Sequence, residues 1–351
     1  MMSAIRRIGT TFRPPLNRAA KERFQKRFLS SAAALSRNSL GRLRREPLDE
    51  GRTEYERDIG RIVYSAFFSA LQKKTQIHLL PTWTRIHTRY THSWKVAELS
   101  AEISRALGLN EDLTRAIGLG HDLGHTPFGH EGESALNKLS STGFKHNRQS
   151  LRVVDEIMKL NLTWEVRNGI LCHNGEAVGE YTLVPHPGRK LDDRYMPATL
   201  EGCVVRLCDK IAYLYHDLWD AINLQVIKRN DIPRALGLRV PDIYKTLIAN
   251  IIEQSAGKNY IAVSPEVGKA MDELLDFNAK RIFMNEKVKG YTKEQVNNAI
   301  TILFGHYLRR FHSEQATVDY IAAMTDQEAL SEAKRLAKAS GKKIDLPRPK
   351  Y

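Results

Sequence analysis

The chain has 351 residues, of which 42% are hydrophobic and 27% charged, and it carries a formal net charge of +14. Its three cysteines, Cys172, Cys203 and Cys208, show no CxxC spacing, which excludes a disulfide framework and a zinc ribbon and points to a reducing compartment. No apolar run approaches the roughly 18 residues of a membrane span, so a transmembrane helix is excluded and a soluble protein is expected.

In chain order, the charge is concentrated first. Residues 1–45 hold 12 Lys/Arg against one acid, Glu22, and the remainder is nearly balanced. Residues 1–35 read as a basic, flexible arm: a solvated tail, a nucleic-acid-binding arm or an organelle transit peptide. From Ile59 to Gln72 the apolar positions Ile62, Val63, Ala66, Phe67, Ala70 and Leu71 form one helix face. Gln76 follows in a loop-like segment broken by Pro81. Arg89 and His92 then open an amphipathic run through Trp94, Val96, Leu99, Ile103 and Leu107, with Thr91 or Ser93 expected to cap it. Three residues apart, Arg89 and His92 share one side of the first turn.

The densest stretch is His121 to Glu133, with three histidines, one aspartate and two glutamates in thirteen residues. Leu113, Ile117 and Leu119 precede it at helical spacing, so His121 and Asp122 fall in the last turn of a helix that Gly124 and Pro127 end. His130 and Glu133 are close enough to pair if the chain turns helical after Gly129. Further on, Asp209 lies in Val204–Leu214, a helical segment that also carries Lys210, Tyr213 and Asp217. Gly179–Pro197 reads as an exposed loop. Residues 243–252, 267–277 and 296–311 read as helices, and Gly341–Tyr351 as a disordered tail. No convincing run of strands and no internal repeat is evident.

The order His92, His121-Asp122, Asp209 resembles that of the HD-domain metal phosphohydrolases. Lys74-Thr75-Gln76, His121 to Glu133, His146 to Ser150, Gly169 to His173, Thr199 to Gly202, Asp209 to Asp217 and Val318 to Asp326 are similar to the deoxyguanosinetriphosphate triphosphohydrolases within them. The match runs from about Ser36 to Ala329. It implies an all-α HD-domain helical fold with additional C-terminal helices, with a body at 36–330 and a basic tail at 331–351.

Metal dependence follows from the same resemblance. Ligands His92, His121, Asp122 and Asp209 would hold one divalent ion (Mn, Mg, Co or Fe), with open positions for water and a phosphate oxygen. The reaction implied is water attack at the α-phosphorus of a deoxynucleoside triphosphate, releasing deoxynucleoside and intact triphosphate. His130 held by Glu133 would protonate the leaving oxygen, and His125 and His146 would face the phosphates. Arg89 suits phosphate oxygens by its planar fork. The resemblance also puts Lys210 and Tyr213 near the phosphates, Gln76 near the sugar and Asp217 on its 3′-hydroxyl.

Rejecting ribose needs a wall against the 2′-carbon, for which Tyr244 is the candidate. The family usually has an arginine where Phe68-Ser69-Ala70 stands here. Glu131 has no assigned role, and His87, His173, His186, His306 and His312 join no metal constellation. Relatives of this kind form homo-oligomers, often hexamers, with nucleotides or single-stranded DNA as effectors, and a cytoplasmic enzyme is expected. Two other readings are a phosphohydrolase of nucleoside monophosphates or cyclic nucleotides, and a nucleotide-responsive DNA-binding regulator.

Overall fold

The computed structural model describes residues 16–77, 86–174, 181–234, 240–285, 290–341 and 344–347. Helices dominate: α1 (Arg18–Phe28), α2 (Glu54–Val63), α3 (Ala66–Ala70), α4 (Arg89–Ala106), α5 (Glu111–Gly120), α6 (Gly129–Leu139), α7 (His146–Arg152), α8 (Trp164–Cys172), α9 (Leu200–Asn223), α10 (Val240–Ser255), α11 (Pro265–Asn278), α12 (Lys293–Phe311), α13 (Glu314–Ala323) and α14 (Asp326–Ala339). The two-residue strands β1 (Thr182–Leu183) and β2 (Ile261–Ala262) pair antiparallel. The segment expected to be only a loop thus begins with one rung of sheet. The loop at Pro81 lies outside the described residues.

Three apolar clusters form the interior. One joins α2, α4, α5, α8 and α9 around Ile62, Val96, Leu113, Ile117, Ile170 and Val205. A second joins α9 to α10 and α11 through Leu207, Ile211, Leu218, Ile251 and Leu274. The third lies among α6, α12, α13 and α14, with Leu136, Val296, Leu303, Ile321 and Leu330.

Both chain ends depart from expectation. Residues 16–35 do not form part of a free arm. α1 is capped by Asn17, Ser30 N–H donates to the Gly108 carbonyl at 2.8 Å, and the buried Gln25 accepts from Ser36 N–H at 3.0 Å. The fully buried Glu201 accepts from the backbone of Ala34 and Asn110, both at 2.9 Å. A basic arm can therefore include at most residues 1–15, which lie outside the described residues. At the other end α14 runs straight through the boundary drawn at 330, because Leu330, Ala333 and Ala337 bury one face, and Leu346 is buried with them. The body extends beyond Ala329 for a packing reason.

The C-terminal helices also hold the loop that carries the histidines. Phe128 is fully buried with φ 65° and Gly129 has φ 60°, a left-handed pair that a non-glycine residue adopts at some cost. Asp326, at the start of α14, accepts from Phe128 N–H and Thr75 N–H, each at 2.9 Å, and from the Thr75 hydroxyl. Lys74 Nζ donates to the carbonyls of His125 and Ala322, both at 2.6 Å. Burial pushes the Lys74 ammonium from 10.5 down to about 8.

Between those values the unfolded chain binds the extra proton, so this group makes stability rise with pH from about 8 to about 10.5. Denaturant titrations of the native protein and of Lys74→Met across that window should show the rise in the first and its loss in the second. Parallel pH dependences would refute a perturbed Lys74.

Candidate metal and catalytic site

Two helix ends and one helix middle converge on the centre. Thr88, rather than Thr91 or Ser93, caps α4, with Thr91 completing the capping box. That start places Arg89 and His92 in the first turn facing inward, both buried. His121 closes α5 and Asp122 follows it. Asp209 projects from α9. His92 Nε2 lies 2.9 Å from Asp209 Oδ1, and His121 Nε2 lies 3.5 Å from Asp122 Oδ2 and 3.6 Å from Asp209 Oδ1. Gly124 has no room for a side chain, since a Cβ would sit 2.1 Å from Ser150 N. Ser150 Oγ accepts from Gly124 N–H at 2.9 Å and donates to the His121 carbonyl at 2.7 Å, pinning the turn from behind.

The donor set suits a divalent cation. His121 Nδ1–H donates to the Gly118 carbonyl at 2.7 Å, which leaves its Nε2 lone pair directed at the carboxylates. Donors about 2.1 Å from one ion and adjacent to each other lie about 3.0 Å apart, close to the separations seen. Without an ion, His121 Nε2 has no hydrogen-bond partner among the described residues. Burial opposes its charge, but Asp122 and Asp209 outweigh that and raise it to about 9. Burial would lift Asp209, yet the two imidazoles hold it well below the usual carboxylate range. Two imidazole nitrogens and two carboxylates brought this close are complementary to a cation.

A second group of imidazoles lies beside the first. His125 and His146 stack at 4.8 Å, His130 approaches His125 at 5.2 Å, and His173 approaches His121 at 4.9 Å. The expected pairing of His130 with Glu133 is not the one formed. Glu133 takes its hydrogen bonds from the backbone N–H and the ring Nδ1 of His146, at 2.9 and 3.0 Å. Those bonds, with neighbouring His130, overcome burial and hold Glu133 at about 2. The reason is geometric: His146 starts α7 directly opposite the Glu133 carboxylate. A lone acceptor takes the donors that a helix start presents. His130 remains nearby, close enough that one nitrogen of it, one of His125 and one Glu133 oxygen lie within 4.8 Å of one another. His130 is exposed to solvent, yet crowding by the surrounding protein, and then the Arg89 guanidinium, push it down to about 4.

Around this core sit the residues expected to touch substrate. Arg89 Nη1 donates to Asp122 Oδ2 at 2.9 Å, while its Nη2 has no partner among the described residues. The same holds for both polar atoms of Gln76, both oxygens of Asp217 and both ring nitrogens of His125. Burial and the nearby Asp220 drive the Asp217 carboxyl well above its normal range. Tyr213 stacks on Phe283 at 4.8 Å and faces His130 at 6.4 Å, and the partly exposed Lys210 precedes it on α9.

Tyr244 is a correction. It packs against Tyr215 at 5.1 Å, in a cavity of about 570 Å³ that Lys95, Glu102 and His216 also line. Tyr213 and Tyr215 lie on different sides of α9, so Tyr244 does not join the residues around Tyr213. Phe283, just past α11, is the aromatic ring that does, and no motif marked it. Phe68, in the stretch where the resemblance led to an arginine being expected, is a core ring against Tyr90 at 5.0 Å and Trp94 at 6.3 Å.

His173 was also missed, although its own phrase, Gly169 to His173, was part of the resemblance. His87 reaches the site's back: it stacks on His216 at 4.3 Å and meets Asp220 Oδ1 at 2.7 Å, and His216 faces His92 at 5.7 Å.

The HD domain family model matches residues 89–222, which include His92, His121, Asp122 and Asp209. A deoxyguanosinetriphosphate triphosphohydrolase-like protein of Caldanaerobacter subterraneus subsp. tengcongensis is 39% identical over 91% of this chain and 95% of its own length. One from Desulfatibacillum aliphaticivorans is 38% identical over 90% of this chain and 97% of its own. Among solved structures, a hypothetical protein from Aquifex aeolicus is similar with a TM-score of 0.46 at 19% identity, over 78% of this chain and 67% of its own.

Proposed function

The chain belongs to the family of deoxyguanosinetriphosphate triphosphohydrolase-like proteins built on an HD domain, and from that premise we propose that it hydrolyses deoxynucleoside triphosphates to deoxynucleoside and inorganic triphosphate. Family and His/Asp cluster together support a metal-binding phosphohydrolase. The observation that carries the finer reading is the set of buried polar atoms on Gln76, Arg89, His125 and Asp217 that have no partner among the described residues. Each such group costs on the order of 1–3 kcal/mol when left bare. A ligand with a polar sugar and several phosphate oxygens satisfies them together.

His92, His121, Asp122 and Asp209 would hold a divalent cation, which would supply Lewis-acid polarisation of the α-phosphate and a water that ionises near neutral pH. Arg89, Lys210 and Tyr213 bind phosphate oxygens, and His125 and His146 face the charge that develops on them. His130 gives its proton to the 5′-oxygen as that oxygen leaves phosphorus and the water oxygen bonds to it. Asp217 meets the 3′-hydroxyl and Gln76 the sugar. Deoxyribose selection falls to a wall other than Tyr244, and Phe283 against Tyr213 is the ring at hand. The reading extends to a homo-oligomer, a hexamer, with nucleotides or single-stranded DNA as effectors, the latter through residues 1–15.

Product analysis tests it. With Mn²⁺ and the four deoxynucleoside triphosphates, singly and mixed, ion-exchange chromatography should find deoxynucleoside and triphosphate. Orthophosphate from a monophosphate or cyclic nucleotide, with no triphosphate from any mixture, would replace this reading with the simpler phosphohydrolase.

A further inference from the structure

On the side of α9 away from Tyr213, a cavity of about 570 Å³ opens between α4, α9 and α10. A volume of that order fits a small molecule. None of the residues assigned to metal, phosphate or sugar lines it. Two rings do: Tyr215 on α9 and Tyr244 on α10 lie 5.1 Å apart, tilted by 43°. Beside them is the buried His216, whose Nδ1 has no partner among the described residues.

Most charges around the rings already have partners. Arg105 donates to Glu111, and Glu98 accepts from Arg115 at 3.1 Å. Lys95 Nζ bonds Nε2 of His87, whose Nδ1–H meets Asp220 Oδ1 at 2.7 Å. That ammonium therefore leads through one imidazole to a carboxylate. Glu102 differs, for it makes no hydrogen bond and no ion pair among the described residues. Its charge does reach the rings: burial and then the Glu102 carboxylate push the Tyr244 hydroxyl up to about 12.

We infer that this cavity binds a small organic cation of the alkyl polyamine class, its ammonium head held between the Glu102 carboxylate and the faces of Tyr215 and Tyr244. A carboxylate without a protein partner takes a charge-assisted hydrogen bond from an ammonium N–H. A tyrosine face adds attraction for a cation within about 6 Å of its centroid, and for no anion. Leu99 and Ala212 give the methylene stem an apolar wall, and a second amine on that stem can donate to the His216 ring.

A bare divalent ion suits the place less well. It needs several ligand atoms, and no group of possible metal ligands among the described residues includes Glu102. An anion would have to lie against an unpaired carboxylate, with Lys95 and Arg105 already engaged.

The test is isothermal titration calorimetry of the full-length protein, with spermidine, putrescine, choline chloride and inorganic triphosphate as separate titrants. Spermidine should saturate one site per chain. Glu102→Gln, at an exposed position where the change keeps the shape, should weaken it about tenfold. Tyr244→Leu should weaken it about fivefold, whereas Tyr244→Phe keeps the ring face and should retain it. Glu266→Gln, which alters an exposed acid outside the lining, should change nothing.

Heat that never saturates, or a site that survives both Glu102→Gln and Tyr244→Leu, would overturn the inference and leave only attraction to scattered surface acids. So would a triphosphate site that Tyr244→Leu removes, because the ligand would then be an anion. If no free amine binds and Glu102→Gln lowers the oligomeric state in sedimentation velocity, the cation is a lysine or arginine of a second copy, and the free ligand is refuted. Heat and sedimentation do not depend on turnover, so each result stands apart from the proposed hydrolysis.

Discussion

Asp122→Asn is expected to abolish hydrolysis, by about four orders of magnitude, in a protein that still folds. Asp122 is buried at the meeting point of every charged element of the centre. It faces His121 and Arg89 through one oxygen and His146 through the other. Burial would favour its neutral form, but His121 and then Arg89 hold it ionised well below the usual range. Removing that charge weakens the ion's hold, and the ion's electrostatic share of such a reaction is several kcal/mol, each 1.36 kcal/mol being about tenfold in rate.

Asn keeps the shape and some of Arg89's hydrogen bonding. Asp122→Ala would instead strand a buried guanidinium and lose about 3–5 kcal/mol of stability. Metal content, melting temperature and triphosphate release, measured on one preparation, distinguish these effects. An Asp122→Asn protein that keeps its metal and works within tenfold of wild type would end the assignment of Asp122 as a ligand.

His130→Ala should lower kcat by about 10²–10⁴ through loss of a proton donor while leaving metal content unchanged. Its place beside His125, opposite Tyr213 and away from the four clustered ligands, motivates the split. In the free protein its imidazole sits near 4, lowered by desolvation and then by Arg89. A general acid acts only when protonated, so activity through it falls as pH rises past its pKa. The negative triphosphate favours the imidazolium, so this basic limb should lie at higher pH in kcat than in kcat/KM, and should vanish in His130→Ala.

Glu133→Gln gives the contrast. Because Glu133 bonds His146, its effect on kcat should be non-additive with that of His146→Ala, where a His130–Glu133 dyad would make it non-additive with His130→Ala. Undiminished kcat in His130→Ala would leave the leaving group without its proposed donor.

The two helix starts at Arg89 and Gly129, the end of α5 at His121 and the inward face of α9 with Asp209 and Asp217 were all legible in the sequence. Each rests on local rules, apolar residues recurring every three or four positions and glycines where helices begin or end, although the capping residue of α4 was expected at Thr91 or Ser93 and is Thr88. His92, His121, Asp122 and Asp209 could be singled out for a related reason, since each sits at a fixed offset from such an element.

Packing decided the rest. Along the chain Glu133 is three residues from His130 and thirteen from His146, and only the approach of α7 to α6 gives it to the more distant one. His173 carries no local sign of its company, because the imidazoles it meets, those of His146 and His121, are 27 and 52 positions away. Tyr213 and Tyr215 differ by two residues, so they face opposite sides of α9, and this puts Tyr244 with the wrong one. Residues 16–35 and 331–339 read as basic and polar, yet each has a narrow face or a few backbone groups that another element covers.

The helices and the ligand-bearing turns of this protein follow from neighbours in sequence. Which carboxylate serves which imidazole, and where the folded body ends, follow from hydrogen-bond partners and buried faces that come together only when distant segments pack, since a buried polar group must find its partner wherever the fold brings one.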